Sequence, residues 1–324
     1  MLKIRQLSFQ YPSSKMILEG IDFEVEKGEI LTILGESGSG KSTLLRLLYG
    51  LEDVVSGEIS YKNEIVTGPK HNLVPGHPLM KYVPQEFDLL NSITVGENVG
   101  KYLSNFNLPL KKESIELALE TVNMQEFIHV YPSQLSGGQR QRVAIARAIA
   151  TQPEVLLLDE PYSHLDQPLK FELRKKIWNW AKVTNCTLIL TTHDVNDALG
   201  FSDQILILKE GNQIQIASPE TIRNFPQNSY VASLLGEYSQ LNSSEMKDIF
   251  GIIIPENEWA IVYPEEVEMK NQGIEFDITD VRFRGRDYLV EGMRGSTKLA
   301  FYANLKPENS PVQLRISNYR TVKD

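Results

Sequence analysis

The sequence predicts an α/β fold built on a mostly parallel sheet, followed by a small all-β unit. Segments with strand and helix patterns alternate over the first two thirds of the chain, which is typical of a mostly parallel sheet. The buried apolar strand Ile30–Leu34 leads through a glycine-rich loop into a helical segment at 42–48, which stops at Gly50. From about Ile252, short apolar stretches are interrupted by repeated Gly and Pro residues, as in small β units.

The sequence pattern also predicts the other strands and helices of the chain. We expect strands at 3–9, 155–158 and 187–192, helices at 111–127 and 139–150, a helix with Leu169, Leu173 and Ile177 on one face, a hairpin at 205–217, and a helical stretch to about Gly236. At 324 residues the chain is long enough for two domains, which usually run to roughly 100–200 residues each. We place them at 1–236, with a helical insert at about 86–150, and at 237–324, which begins with a linker.

Composition excludes several classes of function. The net charge is -9 and the sequence has no long basic block, which argues against nucleic-acid partners. Apolar runs such as 155–158 fall far short of the ~20 residues that span a bilayer, and the N-terminus resembles no export signal. The single cysteine, Cys186, excludes an intrachain disulfide and predicts a reducing compartment. Within a strand-like segment, we expect it to be a small buried hydrophobe.

A phosphate-binding loop stands between the first buried strand and its helix. It consists of Gly35, Glu36, Ser37, Gly38, Ser39, Gly40, Lys41 and Ser42. Its glycines let backbone N–H groups face phosphates, and the following helix points its positive end at them. Lys41 is predicted to reach the β- and γ-phosphates, Ser42 to ligate Mg²⁺ and Thr43 to lie near the α-phosphate. The alternative, a flexible glycine turn, is disfavoured by the flanking strand and helix.

Two carboxylates follow the second buried strand. The segment at 155–158 is apolar and delivers Asp159 and Glu160 at its C-terminal end, where α/β sheets bind ligands. Asp159 is predicted to hold Mg²⁺, and Glu160 to polarise an attacking water as general base. Alone, such a pair is often a solvated acidic turn. Combined with the phosphate loop, it predicts a P-loop NTPase that binds Mg²⁺, and any protein of that class would fit these two motifs.

A second glycine motif narrows this class. Leu135-Ser136-Gly137-Gly138-Gln139 is followed by the helical Arg140–Ala148 stretch, so that Ser136 and two glycines would cap a helix N-terminus. By itself this is a capped helix start. The segment resembles the signature motif of ABC transporter ATPases, which implies a core with an antiparallel β subdomain and a helical subdomain. In that family the signature of one subunit closes on the γ-phosphate held by the other, so the site is completed in trans by Ser136, Gly137, Gly138 and Gln139.

Four further matches stand in the family's order. Tyr11 matches the aromatic that stacks on adenine, Gln85 the glutamine that senses Mg²⁺ and water and adjoins the membrane partner, and His193 the histidine that contacts the γ-phosphate. Residues 163–166 match the loop whose Asp166 reaches across the dimer. Taken singly, each match is weak: Tyr11 would more often be a half-buried strand residue, Gln85 an ordinary polar loop residue and His193 an ordinary histidine. Asp166 alone would be a helix N-cap. The resemblance implies that Glu160, His193 and Gln85 are catalytic and that Ser42, Gln85 and Asp159 hold the metal.

The C-terminal part is similar to the importer ATPases that carry a small OB-like (TOBE-type) domain. Residues 218–236 resemble the passage out of the ATP-binding domain, and 260–267 the start of the small domain, where Tyr263 replaces a usual arginine. Residues 278–285 resemble the strand and turn that follow. Members of this group energise uptake of polyamines, iron, sulfate or molybdate, and sugars. Separately, the spacing of Arg282, Arg284 and Arg286 would place them on one strand face and could suit an oxyanion, but a solvated strand edge is the favoured interpretation.

The expected function is therefore an ATP-binding subunit that hydrolyses ATP to power uptake. Implied partners are a second copy, transmembrane permease subunits and an extracytoplasmic solute-binding protein, at the cytoplasmic face of the membrane. The alternatives are an exporter ATPase, a soluble ABC ATPase acting as a mechanical clamp, and a regulatory module without catalysis. The interval between Lys41 and Ser136 leaves no room for a clamp's coiled coil, and Lys41, Asp159, Glu160 and His193 argue against lost catalysis.

Overall fold

The computed structural model describes residues 1–12, 15–163, 165–307 and 310–323, apart from the side chain of Asn271. The chain forms two compact units, Met1–Pro219 and Glu220–Asp324. The boundary expected from the sequence lies later, between residues 236 and 237. Helix α8 (Ser229–Leu234), which lies between the two positions, is part of the second unit.

The described residues of the first unit form ten strands. They are β1 (Leu2–Gln10), β2 (Met16–Val25), β3 (Ile30–Leu34), β4 (Ser56–Tyr61), β5 (Glu64–Ile65), β6 (Met80–Val83), β7 (Val155–Asp159), β8 (Thr187–Thr192), β9 (Gln204–Lys209) and β10 (Asn212–Ala217). They lie in the order β5-β4-β1-β2-β10-β9-β3-β8-β7-β6. Strands β9, β3, β8, β7 and β6 run parallel, whereas β1, β2, β4 and β5 pair antiparallel. The expected parallel sheet and antiparallel subdomain are both present.

Helices cover this sheet. They are α1 (Lys41–Tyr49), α2 (Val95–Val99), α3 (Leu108–Thr121), α4 (Gly137–Ile149), α5 (Gln167–Thr184) and α6 (Val195–Leu199), with short 3-10 turns at Gly100–Tyr102, Gln125–Phe127 and Pro132–Gln134. The predicted helix at 111–127 is thus shorter, because Asn123 adopts a positive φ of 55° after α3 and the last residues form a separate turn.

The central strands are buried on both faces. In β7, Leu156 and Leu158 pack into a core with α4 and α5, while Val155 and Leu157 pack into a core with α1 and β1. Side chains alternate between the faces of a strand, so a strand covered on both sides reads as a continuous apolar run. Cys186 is buried as predicted, and burial raises the pKa of its thiol to about 12, so that it stays protonated at neutral pH.

In the second unit, the part of the chain that the structure describes forms three α-helices and two antiparallel sheets. Its elements are α7 (Pro219–Asn224), α8, β11 (Ser239–Leu241), α9 (Ser243–Phe250), β12 (Trp259–Val262), β13 (Val267–Phe283), β14 (Tyr288–Arg294), β15 (Thr297–Ala303), β16 (Val312–Ile316) and β17 (Arg320–Val322). The sheet orders are β11-β12-β17 and β15-β14-β13-β16. The predicted all-β part is confirmed.

Two features of this unit differ from expectation. The start of the 237–324 part, expected as a linker, holds β11 and α9, and α9 begins with a capping box between Asn242 and Glu245. The prediction that three arginines lie on one strand face is wrong, because β13 ends at Phe283. Each arginine also pairs with a carboxylate: Arg282 with Glu237, Asp280 and Glu291, and Arg284 and Arg286 with Asp287. Because their guanidinium groups are paired with carboxylates, the three arginines do not form an oxyanion site.

Candidate functional site

The candidate site lies where the parallel strands end. In the register of the sheet, Leu34 of β3 pairs with Thr192 of β8, and Thr191 of β8 pairs with Asp159 of β7. The residues that follow these three strands therefore leave the sheet at one edge. This edge brings together the glycine loop, Glu160 and His193.

The glycine loop joins β3 to α1 and presents an uncapped helix N-terminus. Gly40 stands at the N-cap position with a φ of 100°, which a residue with a Cβ rarely adopts, and among the described residues no side chain caps the helix. The first N–H groups of α1 thus keep their capacity to bind an anion. The hydroxyl of Ser39 in the same loop is buried and has no hydrogen-bond partner within the described chain.

Lys41 closes this loop from the helix side. Its Nζ donates to the carbonyl oxygens of Gly35 at 2.9 Å and Glu36 at 2.8 Å, and the residue is only 5% exposed. Burial lowers the pKa of Lys41, although the nearby carboxylates of Glu160 and Asp159 oppose this effect. A buried ammonium group beside two carboxylates and an open helix N-terminus can bind a polyphosphate.

Asp159 is the centre of a hydrogen-bonded cluster. Its Oδ1 accepts from the hydroxyls of Ser42 at 2.9 Å and Thr191 at 2.7 Å, and its Oδ2 accepts from the hydroxyl of Tyr82 at 3.2 Å. Burial, and then the Asp159 carboxylate, raise the pKa of Tyr82, so this phenol remains a donor. Ser42 and Asp159, predicted as metal ligands, are thus in direct contact.

Glu160 follows in a conformation that its neighbours hold. It has a positive φ of 45°, which is unusual for a residue with a side chain. Its N–H donates to Thr191 Oγ1 at 3.0 Å, and one carboxylate oxygen lies 3.4 Å from Nδ1 of His193. The side chain of Glu160 is 16% exposed and that of His193 is 58% exposed, so both can be reached from solvent.

Buried charges hold the loop that carries His193. Lys170 of α5 contacts Asp194 at 2.6 Å and Asp197 at 3.1 Å, while Arg174 of α5 is paired with Asp197. The hydroxyl of Thr192 donates to Asp197 at 2.5 Å. Burial alone would raise the pKa of Asp194, but hydrogen bonds, chiefly from Lys170, hold this pKa below its usual value. The residues on either side of His193 are therefore tied to α5.

We expect the Asp197→Ala substitution to lower the free energy of unfolding by about 3 kcal/mol, because it leaves the buried guanidinium of Arg174 without its carboxylate. The denaturation midpoint of the full chain in urea measures this. The exposed Asp88→Ala variant is the matched control and should shift the midpoint little. An equally stable Asp197→Ala chain would contradict a stabilising role for this network.

The signature segment forms a capped helix start, as predicted. Ser136 is the N-cap of α4, and its side chain and that of Gln139 form a capping box, with the Gln139 N–H donating to Ser136 Oγ at 3.3 Å and the Ser136 N–H to Gln139 Oε1 at 2.8 Å. Apart from its chain neighbours and the backbone of its own helix, a Cβ added at Gly137 would meet no described atom within 4 Å, and the φ of Gly137 is not positive. Neither packing nor backbone conformation within the described chain requires glycine there.

The other predicted residues are placed as follows. Tyr11 follows β1, is half-buried, and contacts the ring of Phe9 edge-on at 4.8 Å between centroids. Gln85 is exposed in the loop after β6, which pairs with β7 as far as Val83 and Leu158. Asp166 is the N-cap of α5 and accepts from Leu169 N–H at 3.1 Å, whereas His164 lies outside the described residues.

Sequence reasoning missed Tyr82 and Thr191, which hold Asp159 and Glu160. Both lie on strands adjacent to β7, and only the register of those strands against β7 brings them to the two carboxylates. It also missed the network of Lys170, Arg174 and Asp197. A signal was present, because Lys170 and Arg174 lie four residues apart on α5.

Fold and site together define an α/β phosphate-loop ATPase. The family model described as ABC transporter matches residues 18–163, from β2 through the glycine loop, the signature and the carboxylate strand. Relatives at 34% and 37% identity, covered over 83% and 77% of their own lengths, show that the chain belongs to the ABC transporter family. Within the described residues, no helix is both long enough and apolar enough to span a bilayer.

Similar proteins include three import ATP-binding proteins. The Fe(3+) ions import ATP-binding protein FbpC of Escherichia coli O157:H7 is 34% identical over 293 residues, covering 86% of this chain and 83% of that protein. The sulfate/thiosulfate import ATP-binding protein CysA of Synechococcus elongatus is 37% identical over 276 residues, covering 83% and 77%. The spermidine/putrescine import ATP-binding protein PotA of Trichodesmium erythraeum is 37% identical over 223 residues, covering 68% and 57%.

Solved structures that resemble this chain include ABC cassettes. The dimeric post-hydrolysis structure of the ATP-binding cassette MJ0796, bound to ADP and Pi, is 28% identical, has a TM-score of 0.60, and covers 68% of this chain and 99% of that one. This likeness supports nucleotide binding and ATP hydrolysis as the activity of the fold.

Proposed function

We propose that this ABC ATPase powers uptake of a solute through separate transmembrane permease subunits. The observation that carries the proposal is the extent of similarity to FbpC, which covers 86% of the chain, whereas the first compact unit holds 219 of 324 residues, about 68%. The similarity therefore includes part of the second unit. Resemblance to an import protein beyond the ATPase core favours uptake over export or a soluble clamp.

We infer that the glycine loop holds the phosphates of ATP. The residues fit this ligand, since the N-terminus of α1 lacks a side-chain cap in the described chain and the Ser39 hydroxyl is buried without a partner. Lys41 would bind the β- and γ-phosphates, the loop residues 35–40 would donate N–H groups to them, and Thr43 would lie near the α-phosphate. Tyr11, which borders the core next to β1, would contact adenine.

Mg²⁺ also fits this edge. The described residues include no cluster of three or more His, Cys, Asp or Glu side chains able to hold a metal. Magnesium bound with a nucleotide, however, commonly uses one or two protein oxygens plus phosphates and waters. Ser42 and Asp159, already 2.9 Å apart, supply a hydroxyl and a carboxylate, and Gln85 would complete the set. When bound, the ion neutralises charge on the phosphates.

Chemistry would come from Glu160 and His193. Glu160 is partly exposed and held by its backbone, so its carboxylate can accept a proton from the attacking water. His193, 3.4 Å from that carboxylate, would orient the water and contact the γ-phosphate. The ion pairs of Lys170 and Arg174 with Asp194 and Asp197 would hold the segment that carries His193, and so keep its imidazole in place during turnover.

The active form is proposed to be a nucleotide-sandwich dimer. The open space around Gly137 favours a partner's phosphate close to the backbone at the N-terminus of α4, and the structure of the MJ0796 cassette is dimeric. Ser136 to Gln139 of one copy, and Asp166, would then complete the site of the other. Permease subunits and an extracytoplasmic solute-binding protein would complete the complex, with this subunit peripheral at the cytoplasmic face. The domain assignment at 1–236 and 237–324 remains part of this proposal.

Purification of the tagged full chain from membranes of its own host tests the proposal. We expect permease subunits to co-purify and, after reconstitution into vesicles with an exposed cytoplasmic face, ATP-dependent movement of solute from the vesicle lumen to the ATP side. The Glu160→Gln chain in the same complex is the control and should support no transport. Movement towards the lumen would assign an exporter, and a chain that binds no membrane protein would favour a soluble ATPase.

A further inference from the structure

Gln141 is a buried polar residue of α4 that reaches the proposed catalytic glutamate. It is 1% exposed, and its Nε2 donates to the backbone carbonyl oxygen of Glu160 at 3.0 Å. A carbonyl only accepts hydrogen bonds, so the amide nitrogen must be the atom that faces Glu160. The signature helix is thereby joined to the carboxylate strand of the same chain.

The bond acts on a residue whose backbone needs support. Glu160 has a φ of 45°, and an unusual backbone conformation of this kind persists where the surroundings determine it. Thr191 of β8 accepts from its N–H, while Ser163 and Gln141 both donate to its carbonyl oxygen, each at 3.0 Å. The peptide that follows Glu160 is thus oriented jointly by the signature helix and by the segment before α5.

Packing by itself does not explain why residue 141 carries an amide. Its Oε1 is buried and finds no hydrogen-bond partner among the described residues. The nearby residues Val143, Ala144 and Ile145 of the same helix are apolar and buried. An apolar side chain of similar length would fill this space without leaving an unpaired oxygen. The hydrogen bond to Glu160 is the interaction for which the amide is needed.

We propose that Gln141 is a positioning residue for the Glu160 carboxylate and couples the two ATP sites of the dimer. The proposal rests on the proposed function, in which the N-terminus of α4 contacts ATP held by the partner copy. Because α4 is one helix from Gly137 to Ile149, a shift of its N-terminus moves Gln141 and with it the Glu160 carbonyl. ATP in one site then aligns the base of the other.

The Gln141→Met substitution tests this in the full chain. Methionine has similar length, cannot donate to the carbonyl, and removes the unpaired oxygen. We expect kcat for ATP hydrolysis to fall at least about 10-fold, since small misalignments are costly in catalysis. The ATP dissociation constant should stay within about two-fold and the melting temperature should not fall. The Hill coefficient for ATP should drop to about 1.

A second variant keeps the test decisive if methionine disturbs folding. Gln141→Leu also lacks a donor for the carbonyl and places a shorter apolar side chain among buried apolar neighbours, and we expect the same loss of kcat and cooperativity with ATP binding retained. Unchanged kcat and Hill coefficient in both variants, or a loss of kcat that only parallels a loss of folded protein, would overturn the proposal. Absence of cooperative hydrolysis in the unsubstituted chain would overturn the coupling of the two sites, whereas a Glu160→Gln chain that stays monomeric with ATP would overturn the proposed dimer.

Discussion

The Glu160→Gln chain should bind ATP normally and hydrolyse it at least about 10²-fold more slowly, in the range expected for loss of a general base. An amide cannot take the proton from the attacking water. It can, however, keep the shape of the site, because the groups that hold Glu160 contact its backbone: Thr191 at the N–H, and Gln141 and Ser163 at the carbonyl oxygen. Binding and turnover should therefore separate.

A dimer with trapped ATP is the second expected property of this variant. If hydrolysis normally resets the dimer, the Glu160→Gln chain should elute as a dimer on gel filtration with ATP and as a monomer without it. Release of inorganic phosphate measures turnover. Glu113→Gln, the same change at an exposed position of α3, is the control and should behave as the unsubstituted chain does. Undiminished hydrolysis by Glu160→Gln would remove Glu160 as the base.

Local sequence patterns predict the parts of the site that lie where a buried strand ends and the next loop or helix begins. A continuous apolar run followed by glycines predicts β3, the loop and α1, and β8 lies at the predicted residues. These predictions succeed because a strand buried on both faces and a helix with a glycine start and end leave a mark within a few residues. Because the strands run parallel, the polar residues that follow them lie at the same edge of the sheet.

Contacts between distant residues are not predictable in the same way. Tyr82 reaches Asp159 across two paired strands, and Gln141 reaches Glu160 from a helix separated from it in sequence. Such contacts depend on strand register and helix packing, which local composition does not specify. The arginines around the end of β13 show the converse error. Their alternate spacing suggests a shared strand face, but the strand ends at Phe283, before Arg284 and Arg286, and carboxylates pair with all three.

Helix α9 shows a third kind of difference. Its start, Asn242 with Glu245 three residues later, and its end at Gly251 in a left-handed conformation are both readable signals. The segment nevertheless resembles a linker in the sequence, because it falls where the pattern of strands and helices changes. A change of pattern marks a change of architecture, but it does not imply an unstructured connection.

The Lys41→Ala chain should lose ATP affinity by about 100-fold. Truncating one partner of a buried, hydrogen-bonded charge pair costs about 2–5 kcal/mol, and 1.4 kcal/mol corresponds to a factor of ten. Lys41 is buried, and its Nζ bridges the carbonyl oxygens of Gly35 and Glu36, so the substitution removes both the charge for the phosphates and a bridge across the loop. Titration calorimetry with ATP measures the affinity.

Two controls distinguish this effect from unfolding or from a change in net charge. Lys112→Ala removes an exposed lysine and should leave ATP affinity unchanged. Lys41→Arg keeps the charge but places a planar, larger group where a compact ammonium lies between two carbonyls, so its affinity should also fall while the melting temperature stays near that of Lys41→Ala. If Lys41→Ala bound ATP as tightly as the unsubstituted chain, the phosphates would have to be held by the loop N–H groups and the end of α1 alone.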